Sequence, residues 1–530
     1  MSKSLDERLT EYFQPEKIKD AFLTYEEQKK DFFQEQNEPK IQMGADGISY
    51  KTFKNELDLR CKFISKRLIK GTYQFYPFRE VDIPKPSDGK SKRTLSISTI
   101  RDALVQKLLY DAIYDEVEKD FKATRTLDKV SCAYRKGKSA PYAATQIHHY
   151  IKQGFKFALD ADIVKFFDTI PHKRLISLVE NKFGKDTLAT KLLRCFIKTG
   201  GVPYTDKRRK YRDQSIFYYY KPNRQNIYRN QGIPQGGVLS GMLANLYLHE
   251  FDCWILKDLS KKYSLRYVRY ADDFVILLKQ KKLIDLVRIE VAEKLKEIEL
   301  ELHTSENKTK CVDIDKDSLE FVGFQFTLAH IRVKEANINR FETRIKEKIK
   351  KELNYKTGEK PERRFNFFIK NVINRKVIGR GETTCSECGG VIGERVKSWM
   401  GFFLIVTDIQ QLRELDKCIR REISKHFYKN YQLRLKKSSF KQAELITLEK
   451  EYYRLHKRKF CRCNEPSCSL TLTSDDEVTG QSQNHSVFLK QLVSSMKINL
   501  WYYLFTVLFL LLLKIIYRNI HLLVLIVNTQ

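Results

Sequence analysis

YVRYADDFVIL, residues 267–277, sets two adjacent aspartates between two short apolar runs. Residues 265–278 therefore read as two strands meeting at Ala271-Asp272-Asp273, with both carboxylates at one exposed end of a sheet. Upstream, residues 155–163 give a further strand signal, and Asp162 closes its apolar stretch Phe157-Ala158-Leu159-Asp160-Ala161. Laying that strand beside the hairpin gathers two or three negative charges within a few ångströms, which repel unless a cation neutralises them. Oxygen-only ligands suit Mg²⁺, and two such ions clamp both sides of an in-line phosphoryl transfer. An Asp-Asp turn alone is weak grounds, because turns favour aspartate for local reasons. Asp168 reads as a cap for the turn before Pro171.

Charge and composition narrow the partners. The 530 residues carry 98 Lys and Arg against 66 Asp and Glu, a net charge of +32. That balance calls for a polyanion, nucleic acid or an anionic membrane face. The basic residues are spread from the N-terminus to about residue 460 rather than gathered in one arm, which favours nucleic acid. Apolar residues at 42% and aromatics at 12% are ample for packed cores, and the length suits two to four domains. Eleven mostly isolated cysteines do not look like a disulfide framework. MSKSLDERLTEYF lacks the apolar core of a signal peptide, so a reducing cytosol is expected.

Away from the aspartates, periodicity outlines the elements. Residues 1–45 are polar, with one or two helices ending near Gly44, and 52–68 repeat apolar residues at helical spacing until Gly71 stops them. Residues 79–83 and 93–97 alternate as the two arms of a hairpin carrying Lys85 and Arg93. Helical periodicity returns at 101–120, a basic tyrosine-rich stretch fills 207–230, and 239–251 reads as a buried helix. A helix at 283–299 and strands at 311–314 and 320–326 follow, then a basic, mostly helical stretch over 334–450. Residues 469–485 are a polar linker.

ADIVKFFDTIPH (161–172), QGIPQGGVLSGMLANLYLHEFD (231–252) and YVRYADDFVIL resemble, in order, motifs A, B and C of reverse transcriptases. LELHTSENKTK (300–310) and LEFVGF (319–324) look like motifs D and E. VDIPKPSDGKSKRTLSISTIRD (81–102), SCAYRKGKSA (131–140) and ADGISYKTF (45–53) look like the finger and N-terminal motifs of the prokaryotic group II intron-like branch. The resemblance covers about 45–330. It implies an α+β right-hand polymerase: fingers, a palm with an antiparallel sheet and a helical thumb, plus a C-terminal extension. The expected divisions are an N-terminal helical extension (1–44), fingers (45–155), palm (156–330, with a basic insertion at 202–230) and thumb (331–455). A Cys-containing segment with its linker (456–485) and a hydrophobic tail (486–530) complete the chain.

The same resemblance assigns roles. Asp162, Asp272 and Asp273 would hold two Mg²⁺ ions, and Phe167 would abut the nucleotide sugar and disfavour a 2′-OH. Gln235 and Gly236 match the loop under the incoming base pair, Lys85 and Arg93 the grip on the triphosphate, and Lys308 a proton donor to the leaving pyrophosphate. The implied partners are a structured non-coding RNA as template, deoxynucleoside triphosphates and a DNA product. Three departures stand out: Asp-Ile-Val-Lys at 162–165 where intron enzymes usually have Asp-Ile-Lys-Gly, Gly241 for a usual proline, and Asn307 for a usual glutamate. Neither a basic DNA-binding segment nor paired Cys/His residues of an intron endonuclease follow the thumb. The chain looks more like bacterial antiphage-defence and abortive-infection reverse transcriptases, with a bacterial cytoplasmic home. An intron maturase, in which RNA binding comes first, and a membrane-anchored defence effector are the alternatives.

Two features fall outside those motifs. Cys385 and Cys388, with Cys461 and Cys463, would supply four thiolates for a structural Zn²⁺; the other reading is free thiols. LWYYLFTVLFLLLL (500–513) and the apolar residues up to 527 form a tail with three readings: a membrane contact, a buried helix joining copies of the chain, or an incidental hydrophobic extension.

Overall fold

The computed structural model describes residues 4–29, 39, 41–84, 92–203, 228–305, 308–353, 360–378, 382–384, 391–394 and 398–457. Lys85, the four cysteines of the zinc reading, most of the basic 202–230 stretch and the hydrophobic tail lie outside these residues. The chain divides into one unit of residues 1–379 with 397–453 and a second of 380–396 with 454–530. The first unit contains every other candidate site residue. In the second, strands Glu382–Thr384 and Val391–Glu394 pair antiparallel, where helical periodicity had been expected. The β-branched Thr383, Thr384, Val391 and Ile392 explain the preference for extended backbone.

The first unit is mixed α+β. Its central sheet runs β5 (Arg266–Tyr270), β6 (Asp273–Leu278), β3 (Phe157–Ala161) and β7 (Lys310–Asp313), all antiparallel. The inner strands β3 and β6 bury Ala158, Leu159 and Phe274 through Leu278, as expected of strands covered by helices. The helix Ser240–Trp254 packs against this region. It is apolar on nearly all sides, and Leu243, Ala244, Leu248 and Phe251 are buried. Strand edges are shorter than the sequence signals: β3 stops at Ala161, one residue before Asp162, and β6 begins with Asp273.

A second sheet pairs β1 (Phe78–Pro84) with β2 (Lys92–Ile97) as the expected hairpin and adds β4 (Gly201–Pro203) parallel to β1. The helix Ile100–Phe121 follows, started by Thr99, whose hydroxyl accepts from the Asp102 N–H. N-terminal helices Leu5–Tyr12 and Pro15–Lys29 bury Leu9, Phe13, Ile18 and Phe22 in the same core. A third sheet joins β8 (Leu319–Phe321), β9 (Phe324–Phe326) and β10 (Ile331–Val333). The Gln411 side chain bonds both the N–H and C=O of Val333, at 2.8 and 3.0 Å, so the helix Ile409–Tyr431 satisfies the open edge of β10.

Candidate active site

The carboxylates converge because β3 is flanked by β6 and β7. Ala161 lies opposite Phe274 and Asp160 opposite Val275, so Asp162 emerges beside the β5–β6 turn. Tyr270 pairs with Asp273, leaving a two-residue turn of Ala271 and Asp272. Asp272 alone of the pair is thus in the turn, while Asp273 is the first residue of a strand. Ala271 has φ of 62°, a strained value for a residue with a Cβ. Asp162 is fixed from the other side: its carbonyl accepts from the His303 N–H at 2.9 Å, and the Val164 N–H bonds Glu301 at 2.9 Å.

The cluster is short of positive charge. The surrounding protein, then Asp162, pushes the Asp272 carboxyl up to about 6. The surrounding protein, then Asp272, Asp162 and Asp160, pushes Asp273 up to about 8 although it reaches solvent at the sheet end. Lys308 donates to Asp162 Oδ2 at 2.8 Å, and that bond holds its ammonium above the usual lysine range. A cleft of about 200 Å³ brings Asp160, Asp162, Asp273 and Lys308 together with Lys310 and Lys334. Asp160, two residues before Asp162, lines the same cleft, and burial pushes it up to about 7. Among the described residues no group of three or more His, Cys, Asp or Glu side chains stands ready-made to hold a metal. The donor set nonetheless fits Mg²⁺, which takes one or two protein carboxylates and completes its shell with substrate phosphates and water.

The remaining candidates border the same region. Phe167, half-buried in the short helix Phe166–Thr169, packs edge-on to Tyr134 at 6.2 Å. Gln235 accepts the Ser96 N–H of β2 at 2.8 Å and donates to Asp168 Oδ1 at 3.2 Å. Asp168 therefore engages Gln235, and the helix after Pro171 has no side-chain cap. Gly236, φ 106°, lies against Leu95 and Ser96. Gly232 (φ 74°) touches the backbone of Phe167 and Asp168 so closely that a Cβ would come within 2.7 Å of both carbonyls. His172 bonds the Gly232 carbonyl at 2.7 Å, a second tie between the two segments. Arg93 is exposed on β2 opposite Ile83.

Reading the sequence did not single out Arg269. Its side chain is 0% exposed and bonds Asp252 through Nε (2.8 Å) and Nη2 (2.5 Å), Asn245 and the Ala271 carbonyl through Nη1, and Ser131 through Nη2. It fastens the strained Ala271-Asp272 turn to the Ser240–Trp254 helix. Tyr267, two residues earlier on the same strand face, also bonds Asp252, at 2.9 Å. The signal was an arginine inside an apolar strand, with Asn245 and Asp252 seven residues apart on one helix face.

Residues 83–326 match the family described as reverse transcriptase (RNA-dependent DNA polymerase). Protein YkfC of Escherichia coli K12 is 26% identical over 328 residues, which take in 56% of this chain and 78% of that protein. The group II intron-encoded protein LtrA of Lactococcus lactis is 32% identical over 216 residues, 40% of this chain and 30% of LtrA. Telomerase from Candida albicans, solved with a fragment of telomeric RNA, is similar at 12% identity and a TM-score of 0.37, over 74% of this chain and 61% of that one. Among the described residues no helix is long and apolar enough to cross a membrane.

Proposed function

Residues 83–326 being a reverse transcriptase domain, an RNA-dependent DNA polymerase related to the group II intron enzymes, we propose that this chain makes complementary DNA at the Asp162–Asp272–Asp273 cluster. The observation that carries the reading is the convergence of these carboxylates, with Lys308, at one end of the central sheet. Two Mg²⁺ ions, held by Asp162 and Asp272 with Asp273 as the third carboxylate, would lower the charge barrier to attack on the α-phosphate. The chain's own groups do the rest. Phe167 faces the sugar, Gln235 and Gly236 support the new base pair, and Arg93, with Lys85, grips the triphosphate. Lys308 would give a proton from Nζ to the pyrophosphate as its bond to the α-phosphorus breaks, while the primer 3′-hydroxyl loses its own proton to solvent water as its oxygen bonds that phosphorus. The β1–β2 hairpin and its helices serve as fingers, the central sheet as palm and residues 331–455 as thumb.

The finer reading is synthesis on a dedicated structured RNA in bacterial antiphage defence, supported by the sequence resemblance and by the basic helices after residue 334. A second reading, an intron-bound RNA-binding protein, is favoured by the likeness to LtrA, described as a group II intron-encoded protein. Sequencing the nucleic acid that copurifies with wild type and with Asp272→Ala separates them. Complementary DNA with wild type alone supports the polymerase and names its template. An intron-like RNA without DNA in both samples overturns it in favour of the second reading.

A further inference from the structure

Tyr134 is a non-glycine residue at φ 58°, and nothing in its own side chain favours that backbone. Its neighbours impose it. The Cys132 N–H bonds the Arg269 carbonyl at 2.9 Å, and Asn245 Nδ2 donates to the Ala133 carbonyl at 2.8 Å. On the other side, Arg135 is buried in a pair with Glu118 and Asp128, and the Lys136 N–H bonds the Tyr114 hydroxyl at 2.7 Å. A strained residue over-determined from both sides, next to a candidate active site, is a reason to look for work done by its side chain.

The ring has a seat and an outlook. It rests on Gly241 of the Ser240–Trp254 helix, where any Cβ would overlap it. Its edge contact with Phe167 spans 6.2 Å. It is 48% exposed, and the exposed part helps line a cavity of about 560 Å³ shared with Tyr110, Phe167, Gly236, Gly241 and Met242. The lining also includes Lys136, which is exposed, and Lys138, which is paired with Asp128 at 2.9 Å. Its protein surroundings, then Asp272, Tyr270 and Asp273, push the phenol up to about 12, so its hydroxyl stays neutral. A size suited to a small molecule, an exposed aromatic ring and the exposed Lys136 in the lining match a nucleoside triphosphate.

We infer that Tyr134 is a second aromatic contact of the nucleotide pocket, touching the incoming nucleoside triphosphate beside Phe167, with Gly241 as the space that admits its ring. The inference rests on the polymerase reading above. In a chain with a β-carbon at position 241 the ring would be displaced, so Tyr134 and Gly241 act as a matched pair.

The test uses the full chain with a primed RNA template and single-nucleotide incorporation of deoxy- and ribonucleotides, together with equilibrium dialysis of a deoxynucleoside triphosphate. Tyr134→Ala raises KM and weakens nucleotide binding about tenfold, the loss of one aromatic contact, and alters deoxy-over-ribo selection. The value of kcat and the affinity for template RNA stay within about threefold, and Tyr134→Phe behaves like wild type. Gly241→Ala reproduces the KM defect alone and adds little to it in the double variant, because both remove the same contact. Unchanged KM and selection in Tyr134→Ala, or losses that follow RNA affinity and melting temperature instead, overturn the inference. Wild type that incorporates no nucleotide yet binds RNA overturns the polymerase reading itself, and the inference with it.

Discussion

Position 165 carries a lysine with φ 44° and ψ 40°, in the left-handed region, at the place where the sequence resemblance to intron enzymes implies a glycine. The departure seen in the sequence is therefore a backbone substitution, and it loads strain onto the turn three residues after Asp162. Lys165 is exposed, so replacing it removes no buried contact. Lys165→Gly is expected to raise stability by about 1 kcal/mol, the cost of a left-handed L-residue less the added freedom of the unfolded chain. A thermal melt of both proteins checks it; a lower midpoint in the variant would show that the lysine side chain contributes more than the strain removes. The acidic cluster gives a second expectation at this scale. Asp272 and Asp273 are raised to about 6 and about 8 without metal, so their protonated forms favour the folded state, and that contribution is lost as pH rises through those values. A cation must displace these protons. Apparent Mg²⁺ affinity should therefore climb up to about tenfold per pH unit between about 6 and 8 and level off above. Asp273→Asn should flatten the upper part of that climb, and a wild-type affinity independent of pH across this range would show that neither carboxyl is the acceptor. The aspartates were legible from sequence because acids that interrupt an apolar hairpin can only sit at its solvated end, where a cation can reach them. Asp160 was not, because an acid inside a strand shows which face it takes only once β3 is seen between β6 and β7.

Among the elements, the hairpin β5–β6 was legible in place and type, and its turn was misjudged by one residue. Alternation of apolar residues fixes a strand, while the pairing of Tyr270 with Asp273 is set by tertiary contacts that a window of residues does not contain. The same holds for Arg269. Its charge sits in an apolar run, and only the Ser240–Trp254 helix supplies the Asp252 carboxylate and Asn245 amide that satisfy it. Buried pairs of this kind cost much to break from one side, because the surviving charge is left in low-polarity surroundings. Arg269→Met should destabilise the protein by about 3–5 kcal/mol, while Arg269→Met with Asp252→Leu should recover a large part of that. The double variant separates stability from positioning. Its Ala271 carbonyl has lost its guanidinium, so polymerase activity should stay low after the fold is restored. Recovery of both together, read by chemical denaturation and by nucleotide incorporation, would reduce Arg269 to a structural residue.

For the whole molecule, a net charge of +32 acts through where it is placed. Lys346 and Lys350 of the helix Glu335–Glu352 face Lys425 and Lys429 of the helix Ile409–Tyr431 across a groove of about 400 Å³. The apolar residues of these helices, Ile345 and Ile349 on one and Ile423 and Phe427 on the other, are buried between them and in the core, which leaves the lysines turned outward. Exposed lysines add little to folding, so replacing them should leave the melting temperature nearly unchanged. Their effect belongs to the polyanion. Each phosphate neutralised releases condensed counterions, and the logarithm of the binding constant falls linearly with the logarithm of salt concentration, by about 0.7 per contact for a single strand and 0.9 for a duplex. If the groove tracks the nucleic-acid backbone, changing all four lysines to alanine should flatten that slope by about three to four, and weaken unrelated RNA sequences to the same degree. Affinity measured from about 50 to 200 mM salt decides it. A slope unchanged by the four substitutions would move the backbone contacts elsewhere on the basic surface. A loss confined to one RNA sequence would make the groove a reader of bases rather than of phosphates.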